Sequence, residues 1–569
     1  MSGVNVKADA AGADATANVA QTPVVQAAQV QTGTAQAAQA AQATPMALRV
    51  SGLSLSIKDH GILHDVSFSL PDESSLAIVG ESGSGKSMTA RSLAGLLPDG
   101  ATVSGKLLLD GHDIDLAGSE KAWRQVRGNT VVWLPQNPFA SMNPLRKCGP
   151  QVADGLQSGS VRSGNGGETS GTGDSGQSRR KLSRAERRAA VERLLRDVGL
   201  EPSVYDAYPH QLSGGMLQRV AIAAAIAPNP RILIADEPTT ALDAQTQAGV
   251  LDLLDSLRST RHMAVVLITH DLALASSRAQ QLVVFNAGRV VESGATEEIV
   301  RHSKHEYTRQ LLNAHHLLDA APVAFGDDIV VARNVSKTYA GASVPALQDA
   351  SIHVAQGEIV GIVGESGSGK STLAKCLVGL EQPDSGSVEF HTADGKTSSW
   401  NKRMAQVVFQ NPYGSLNPSM TVRQTLVEAL GVVGRPASDV DELIALVGLE
   451  AELLDRKPGK LSGGQCQRVA IARALAPEPR LIIADEAVSA LDATIQTVVL
   501  DTLLRLRERL GIGILFISHD LDVVRRIADR IYVIYHSRIV ESGGTDEVLD
   551  HPKNDYVKAL IAAMPKRSE

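Results

Sequence analysis

Cysteine is close to absent: Cys148, Cys376 and Cys466 are the three in 569 residues, and they lie far apart. Such a set has neither metal-ligand spacing nor the even count of a disulfide framework, and it suits a reducing compartment. Long apolar runs are also missing. The longest, such as residues 220–227, fall far short of the roughly 18 to 20 that cross a bilayer, so the chain is not expected to span a membrane by itself. No basic segment followed by an apolar core opens the sequence, which predicts no secretory signal. Positive charge is not in excess either. Against 55 Lys and Arg stand 62 Asp and Glu, a formal net charge of −7 that argues against nucleic acid as the main ligand.

What is present is a repeat. The octapeptide Gly-Glu-Ser-Gly-Ser-Gly-Lys-Ser occurs as Gly80, Glu81, Ser82, Gly83, Ser84, Gly85, Lys86, Ser87 and again as Gly364, Glu365, Ser366, Gly367, Ser368, Gly369, Lys370, Ser371. Both copies fit the phosphate-loop pattern, in which backbone N–H groups of a glycine-rich turn face phosphate oxygens. Each copy follows a short apolar run and leads into helix-compatible sequence, predicted over 88–96 and 372–380. That is a strand, a turn and a helix N-terminus, which favours an anion. Lys86 and Lys370 are then placed to reach the β- and γ-phosphates, and Ser87 and Ser371 to ligate Mg²⁺. A glycine turn that only caps a helix would not account for two identical copies in matching contexts.

The repeat divides the chain. Residues 1–46 are mostly Ala, Gln, Val, Thr, Gly and Asn, the composition of a disordered leader. The first half is placed at 47–317, with a flexible Gly/Ser insertion at 157–178, and the second at 329–569 after a linker at 318–328. The offset between matched residues is 284 at the phosphate-loop lysines, 274 between Gln136 and Gln410, and 249 from Ser213 and Ser462 onward. The extra length of the first half therefore lies mainly between Gln136 and Ser213, where the insertion sits.

Hydrolysing a nucleoside triphosphate needs a metal, a positioned water and a sensor of the γ-phosphate. Asp236 and Asp485 end apolar strands and can hold Mg²⁺, while Glu237 and Glu486, pointing the other way on a strand of period two, can polarise the attacking water. Gln136 and Gln410 sit at strand ends and can bind Mg²⁺ or the water through a neutral amide. His270 and His519 also end strands, where a γ-phosphate contact competes with a structural role. Ser213, Gly214 and Gly215, and Ser462, Gly463 and Gly464, open helix-compatible runs, which gives each half a second anion-binding N-terminus.

In this order the motifs resemble Walker A, Q-loop, signature, Walker B, D-loop (241–243 and 490–492) and H-loop of the nucleotide-binding subunits of ATP-binding-cassette (ABC) transporters, over nearly all of 47–569. The resemblance implies an α/β fold of two tandem P-loop NTPase domains, each with a RecA-like core sheet, an antiparallel β subdomain and a helical signature subdomain. It also implies a head-to-tail sandwich. One ATP would lie between Lys86, Ser87, Gln136, Asp236, Glu237 and His270 and the opposite Ser462, Gly463 and Gly464; the other between Lys370, Ser371, Gln410, Asp485, Glu486 and His519 and Ser213, Gly214 and Gly215. A linker of that length reaches at most about 40 Å and holds the halves at millimolar effective concentration.

Three departures stand out. An adenine-stacking aromatic is expected ahead of Walker A; Tyr339 fits in the second half, but the aligned residue in the first is Ile57. The usual signature glutamine is Gln465 in the second half and Met216 in the first. Pro238 after the first Walker B is Ala487 in the second. None removes a catalytic group, so both sites are expected to hydrolyse ATP.

The stretches after the Q-loops, 137–144 and 411–418, and the closing His-x₄-Tyr-x₃-Leu segments resemble the peptide, opine and nickel uptake subfamily, although the C-terminal cysteine cluster of some members is missing. This implies a bacterial importer: an ATPase on the cytoplasmic face of the inner membrane, touching the membrane only through two transmembrane permease subunits, with an extracytoplasmic solute-binding protein delivering di- or oligopeptides or a related solute. Soluble tandem ABC proteins acting on ribosomes or DNA are the competing class. Their long charged linker is not found here, and both H-loop histidines are present. Sugar-type tandem importers are disfavoured by the stretches after the Q-loops.

Overall fold

Apolar strands of five or six residues form the centre of each half. Ser75–Val79, Ile232–Asp236 and Ala264–Thr269 are buried along their whole length, as parallel strands covered on both faces must be. They lie in a six-stranded sheet ordered Arg289–Ala295, Gln281–Asn286, Ser75–Val79, Ala264–Thr269, Ile232–Asp236, Val131–Leu134. All neighbours run parallel except the Arg289–Ala295 edge, which returns from Gln281–Asn286 through a tight turn at Ala287 and Gly288, both at positive φ. The second half repeats the sheet around Ile359–Val363, with the same order and the same antiparallel edge.

The computed structural model describes residues 45–156, 182–313 and 324–562, apart from 59, 240, 241, 243, 393–395, 399–403, 490 and 492. Residues 1–44 of the leader, the Gly/Ser insertion and most of the linker lie outside the described residues, as do Ala241, Asp243, Ala490 and Asp492 of the two D-loops, while Met46, placed in the leader, opens a strand.

Each half also carries a four-stranded sheet with antiparallel pairings, ordered His60–Pro71, Met46–Ile57, Ala101–Leu109, His112–Asp115 in the first half. Leu63, Val66, Phe68 and Leu70 are buried on the outer strand while residues between them are not, the alternation of a sheet with one face on the core. A third element is helical: Cys148–Asp154, Arg184–Asp197 and Gly214–Ile226 share a core of Val152, Val191, Leu195 and Val220. This is the tandem P-loop architecture that the motifs implied.

The helices behind the phosphate loops differ from expectation at both ends. They run Lys86–Leu93 and Lys370–Leu377, starting on the lysine itself. Each stops early because a glycine one residue past the cap, Gly95 or Gly379, takes φ of 64° or 68° and closes the last turn.

The strand that feeds the second phosphate loop is anchored by buried charge, and its counterpart is not. Asp529 accepts from the Ile359 N–H at 2.8 Å and pairs with the buried Arg507 at 3.2 Å, while Glu358 takes the Arg530 guanidinium at 2.7 Å. In the first half, neutral groups serve: Gln280 Oε1 accepts from the Ser75 N–H at 3.3 Å. Removing one partner of a buried pair costs about 3–5 kcal/mol, and Arg530 keeps some solvent, so Glu358→Ala is expected to cost about 2 kcal/mol. Denaturant unfolding of the full chain checks this, with Ser74→Ala at the matching position near zero.

Candidate functional site

The phosphate-loop, aspartate, glutamine and histidine groups stand at the carboxyl ends of strands of the six-stranded sheets, whereas the signature serines begin helices and Tyr339 follows a strand of the four-stranded sheet. Gly80 follows Ser75–Val79, Asp236 ends its strand, His270 follows Ala264–Thr269, and Gln136 lies just beyond Val131–Leu134. Gly364, Asp485, His519 and Gln410 occupy the same places in the second half. Open parallel sheets bind ligands at this edge.

Within the loops, Lys86 Nζ donates to Gly80 O at 2.7 Å and Glu81 O at 2.8 Å, and Lys370 Nζ to Gly364 O and Glu365 O, both at 2.7 Å. An ammonium carries three N–H donors, so a triphosphate oxygen can join these carbonyls as an acceptor. Gly80 has φ of 151°, and a Cβ there would fall 2.3 Å from Phe285 O, so the loop's first position admits only glycine. Ser84 Oγ and Ser368 Oγ are buried without a hydrogen-bond partner among the described residues.

Ser87 Oγ donates to Asp236 Oδ1 at 3.1 Å, and Ser371 Oγ to Asp485 Oδ1 at 3.3 Å. Burial pushes both aspartic acids up in pKa, and the serine bonds only partly oppose it. A hydroxyl beside a carboxylate that lacks solvent is a donor set that suits a hard divalent cation bound through oxygen, with phosphate oxygens and water filling the remaining positions. The residues fit Mg²⁺. Among the described residues, no group of three or more His, Cys, Asp or Glu side chains could hold a metal by itself.

The glutamates are placed differently from expectation. Glu237 and Glu486 do not continue the strand: their φ values are 45° and 50°, so the chain breaks into the left-handed region at the residue after the aspartate. This turn, not strand alternation, aims the carboxylate away from Asp236 or Asp485, and an L-residue held there is strained. Glu237 Oε2 accepts from Gln136 Nε2 at 2.6 Å, and Oε1 meets His270 Nδ1 at 3.3 Å. In the second half, Gln410 Nε2 donates to Glu486 Oε2 at 2.8 Å, and His519 Nδ1 lies 3.7 Å from Glu486 Oε1. Burial works against charge on both imidazoles, but the neighbouring glutamate outweighs it and raises both pKa values. His519 in turn lowers that of Glu486. In each half, then, the amide is held on the glutamate, and in the first half the imidazole is as well.

Ser213 caps Gly214–Ile226 by accepting from the Met216 N–H at 3.3 Å, and Ser462 caps Gly463–Leu475 through the Gln465 N–H at 3.3 Å. Only in the second half does the side chain reply, as Gln465 Oε1 accepts from the Ser462 N–H at 3.0 Å. Met216 thus costs the first half a reciprocal cap. Tyr339 lies beside the second phosphate-loop helix, its hydroxyl 3.5 Å from Thr372 Oγ1. In the first half, a tight hairpin pairs Ile57 with His60 and removes the loop that carries Tyr339. Asp271 of the first half is a charged neighbour of Asp520 of the second, adding to the burial and the Asp522 charge that raise the Asp520 pKa.

One contact was not foreseen. The hydroxyls of Tyr307 and Tyr556, from the closing segments, each accept the backbone N–H of the second phosphate-loop residue. The matching spacing of the two closing segments was the available signal.

The family profile described as "ABC transporter" matches residues 63–240 and 347–489, more than half of the chain. This chain belongs to the ABC transporter family of ATP-binding proteins. As an ABC protein it binds ATP and is an ATPase. A second profile, "Oligopeptide/dipeptide transporter, C-terminal region", matches residues 291–322. The peptidoglycan transport ATP-binding protein YejF of Agrobacterium fabrum is 40% identical over 523 residues, covering 88% of this ABC protein and 92% of the relative. The glutathione import ATP-binding protein GsiA of Escherichia coli is 37% identical over 557 residues, covering 88% and 86%. Among solved structures, an RNase-L inhibitor matches with a TM-score of 0.59 at 20% identity, covering 87% of this chain and 91% of the other, which shows a shared fold.

Proposed function

We propose that this chain energises a bacterial ABC importer for di- or oligopeptides or a related solute, its two halves closing on two ATP molecules. The full-length likeness to transport and import ATP-binding proteins carries this reading. Each ATP would be bound by one half's phosphate loop and Walker B pair and by the signature serine of the other half. Mg²⁺ held by Ser87, Asp236 and Gln136, or by Ser371, Asp485 and Gln410, would neutralise charge on the β- and γ-phosphates.

Lys86 and Lys370 would extend an ammonium N–H to the phosphate oxygens while the loop carbonyls hold the ammonium in place. Arrival of the γ-phosphate would draw Gln136 and His270 off Glu237, and Gln410 and His519 off Glu486, freeing the carboxylate to accept a proton from the attacking water. The strained backbone at each glutamate would hold that carboxylate in place.

Two permeases would dock beside the Q-loops, where Phe139 is 54% exposed, Phe409 44% and Tyr413 47%. An apolar groove of about 340 Å³ lies there in the second half, lined by Phe409, Val432 and Arg473 among others. Among the described residues no helix is long and apolar enough to cross a membrane, which fits a peripheral place on the cytoplasmic face reached through permeases. An extracytoplasmic protein would deliver the solute. Affinity purification of the full chain from detergent-solubilised membranes is expected to bring down two integral membrane permeases. Recovery of ribosomal proteins or DNA in their place would overturn the proposal.

A further inference from the structure

We propose that the closing helix of each half sets the geometry of the phosphate loop, with Tyr307 and Tyr556 as positioning residues for ATP binding. The inference rests on reading the two loops as ATP sites. In the first half, the Glu81 N–H donates to Tyr307 Oη at 3.2 Å, and the Gly80 carbonyl accepts from Lys86 Nζ at 2.7 Å. These two groups belong to one peptide unit. Because that unit is planar and trans, with N–H and C=O on opposite sides, holding the N–H aims the carbonyl at the lysine. The second half repeats the arrangement: the Glu365 N–H donates to Tyr556 Oη at 3.2 Å, and Gly364 O accepts from Lys370 Nζ at 2.7 Å.

The tyrosines are fixed from the core sheet. Glu292, on the edge strand Arg289–Ala295, accepts from the Lys304 and His305 N–H groups at 2.8 and 3.3 Å, and the Tyr307 N–H donates to His305 Nδ1 at 3.1 Å. Glu541 does the same for Lys553 and Asn554 at 2.8 and 2.9 Å, and the Tyr556 N–H donates to Asn554 Oδ1 at 2.9 Å. Leu311 and Leu560, one helical turn on, are buried.

The surroundings of the two rings differ. Tyr556 stacks on Tyr535 with centroids 3.9 Å apart, whereas the residue matching Tyr535 in the first half is Asn286. His305 likewise stands where the second half has Asn554. What the halves share is the bond from loop N–H to hydroxyl. The ring and the leucine pack the closing helix, and the hydroxyl meets the loop.

Without the hydroxyl, the Gly80–Glu81 peptide is free to turn, and the Lys86 ammonium loses a preset carbonyl. One lost hydrogen bond corresponds to about a three- to tenfold change in an equilibrium constant. Bound ATP restores the loop, so the penalty falls on binding and not on the chemical step.

The test is steady-state ATP hydrolysis by the full chain carrying Tyr307→Phe, Tyr556→Phe or both, with melting temperatures. The double variant is expected to raise the KM for ATP about three- to tenfold, with kcat within about twofold of the parent and the melting temperature within about 1 °C. Leu311→Ala with Leu560→Ala, which keeps both hydroxyls, should instead lower the melting temperature. An unchanged KM in the double Phe variant overturns the inference, as does a KM that rises only together with a fall in melting temperature. Lys86→Ala with Lys370→Ala tests the underlying reading separately. If that chain binds ATP as the parent does, the loops are not the ATP sites, whatever the tyrosine variants show.

Discussion

Glu237→Gln and Glu486→Gln are each expected to reduce ATP turnover to less than a tenth of the parent at saturating ATP, with ATP affinity kept within about threefold. Loss of a general base costs about 10²–10⁴ at the affected site. The substitution also disturbs the resting contacts, since one carboxylate oxygen becomes an amide donor facing Gln136 Nε2 or His270 Nδ1, which now lie 2.6 and 3.3 Å from Glu237. Lys86, Ser87 and their second-half counterparts are untouched, so binding should survive. Two independent sites would leave about half the turnover in each single variant. We expect far less, because residues that act as a unit do not contribute additively. A half that binds ATP but cannot cleave it would hold the shared closure shut. Phosphate release and equilibrium dialysis with labelled ATP separate the alternatives. If either variant turns over like the parent, that glutamate is not the base and its half is not hydrolytic.

The sequence was most informative where the chemistry is local. Gly80 to Ser87 and Gly364 to Ser371 each hold a strand end, a turn and a helix start in one short stretch, so neighbouring residues decide their geometry. Asp236, His270 and Gln136 could be placed together in advance because each ends a strand of one parallel sheet. Three features were hidden. The left-handed turn at Glu237 and Glu486 is not encoded by glycine, so the period of the preceding strand pointed to alternation instead. The hairpin at Ile57 and His60 depends on where two strands stop pairing, which apolar runs leave uncertain by several residues. The bonds from Tyr307 to Glu81 and from Tyr556 to Glu365 join residues 226 and 191 positions apart, a distance over which periodicity carries no signal.

The proposed cross-pairing of the halves would yield the other large effect. A chain with Lys86→Ala keeps one intact phosphate loop, that of Lys370. If the halves close head to tail, the helix N-terminus that completes this loop belongs to the first half and begins at Ser213, which caps Gly214–Ile226. Its free N–H groups and dipole would face the γ-phosphate. Adding Ser213→Arg should therefore weaken ATP binding at the remaining loop by about tenfold or more, and lower residual turnover by about 10². Adding Ser462→Arg to the same Lys86→Ala chain should leave affinity within about twofold, because that serine would serve the loop already disabled. Exchanging the background to Lys370→Ala should exchange the two results. Titration of the one-loop chains with a fluorescent ATP analogue reads this directly. If Ser462→Arg, and not Ser213→Arg, abolishes binding at the Lys370 loop, each half completes its own site and the shared sandwich is wrong. Ser213 Oγ and Ser462 Oγ each cap their own helix, through the Met216 and Gln465 N–H groups, so each signature segment presents a formed helix N-terminus. The lysines, for their part, rest on their own loop carbonyls. Each phosphate loop therefore needs a second set of donors, and a second copy of the fold on the same chain can supply it.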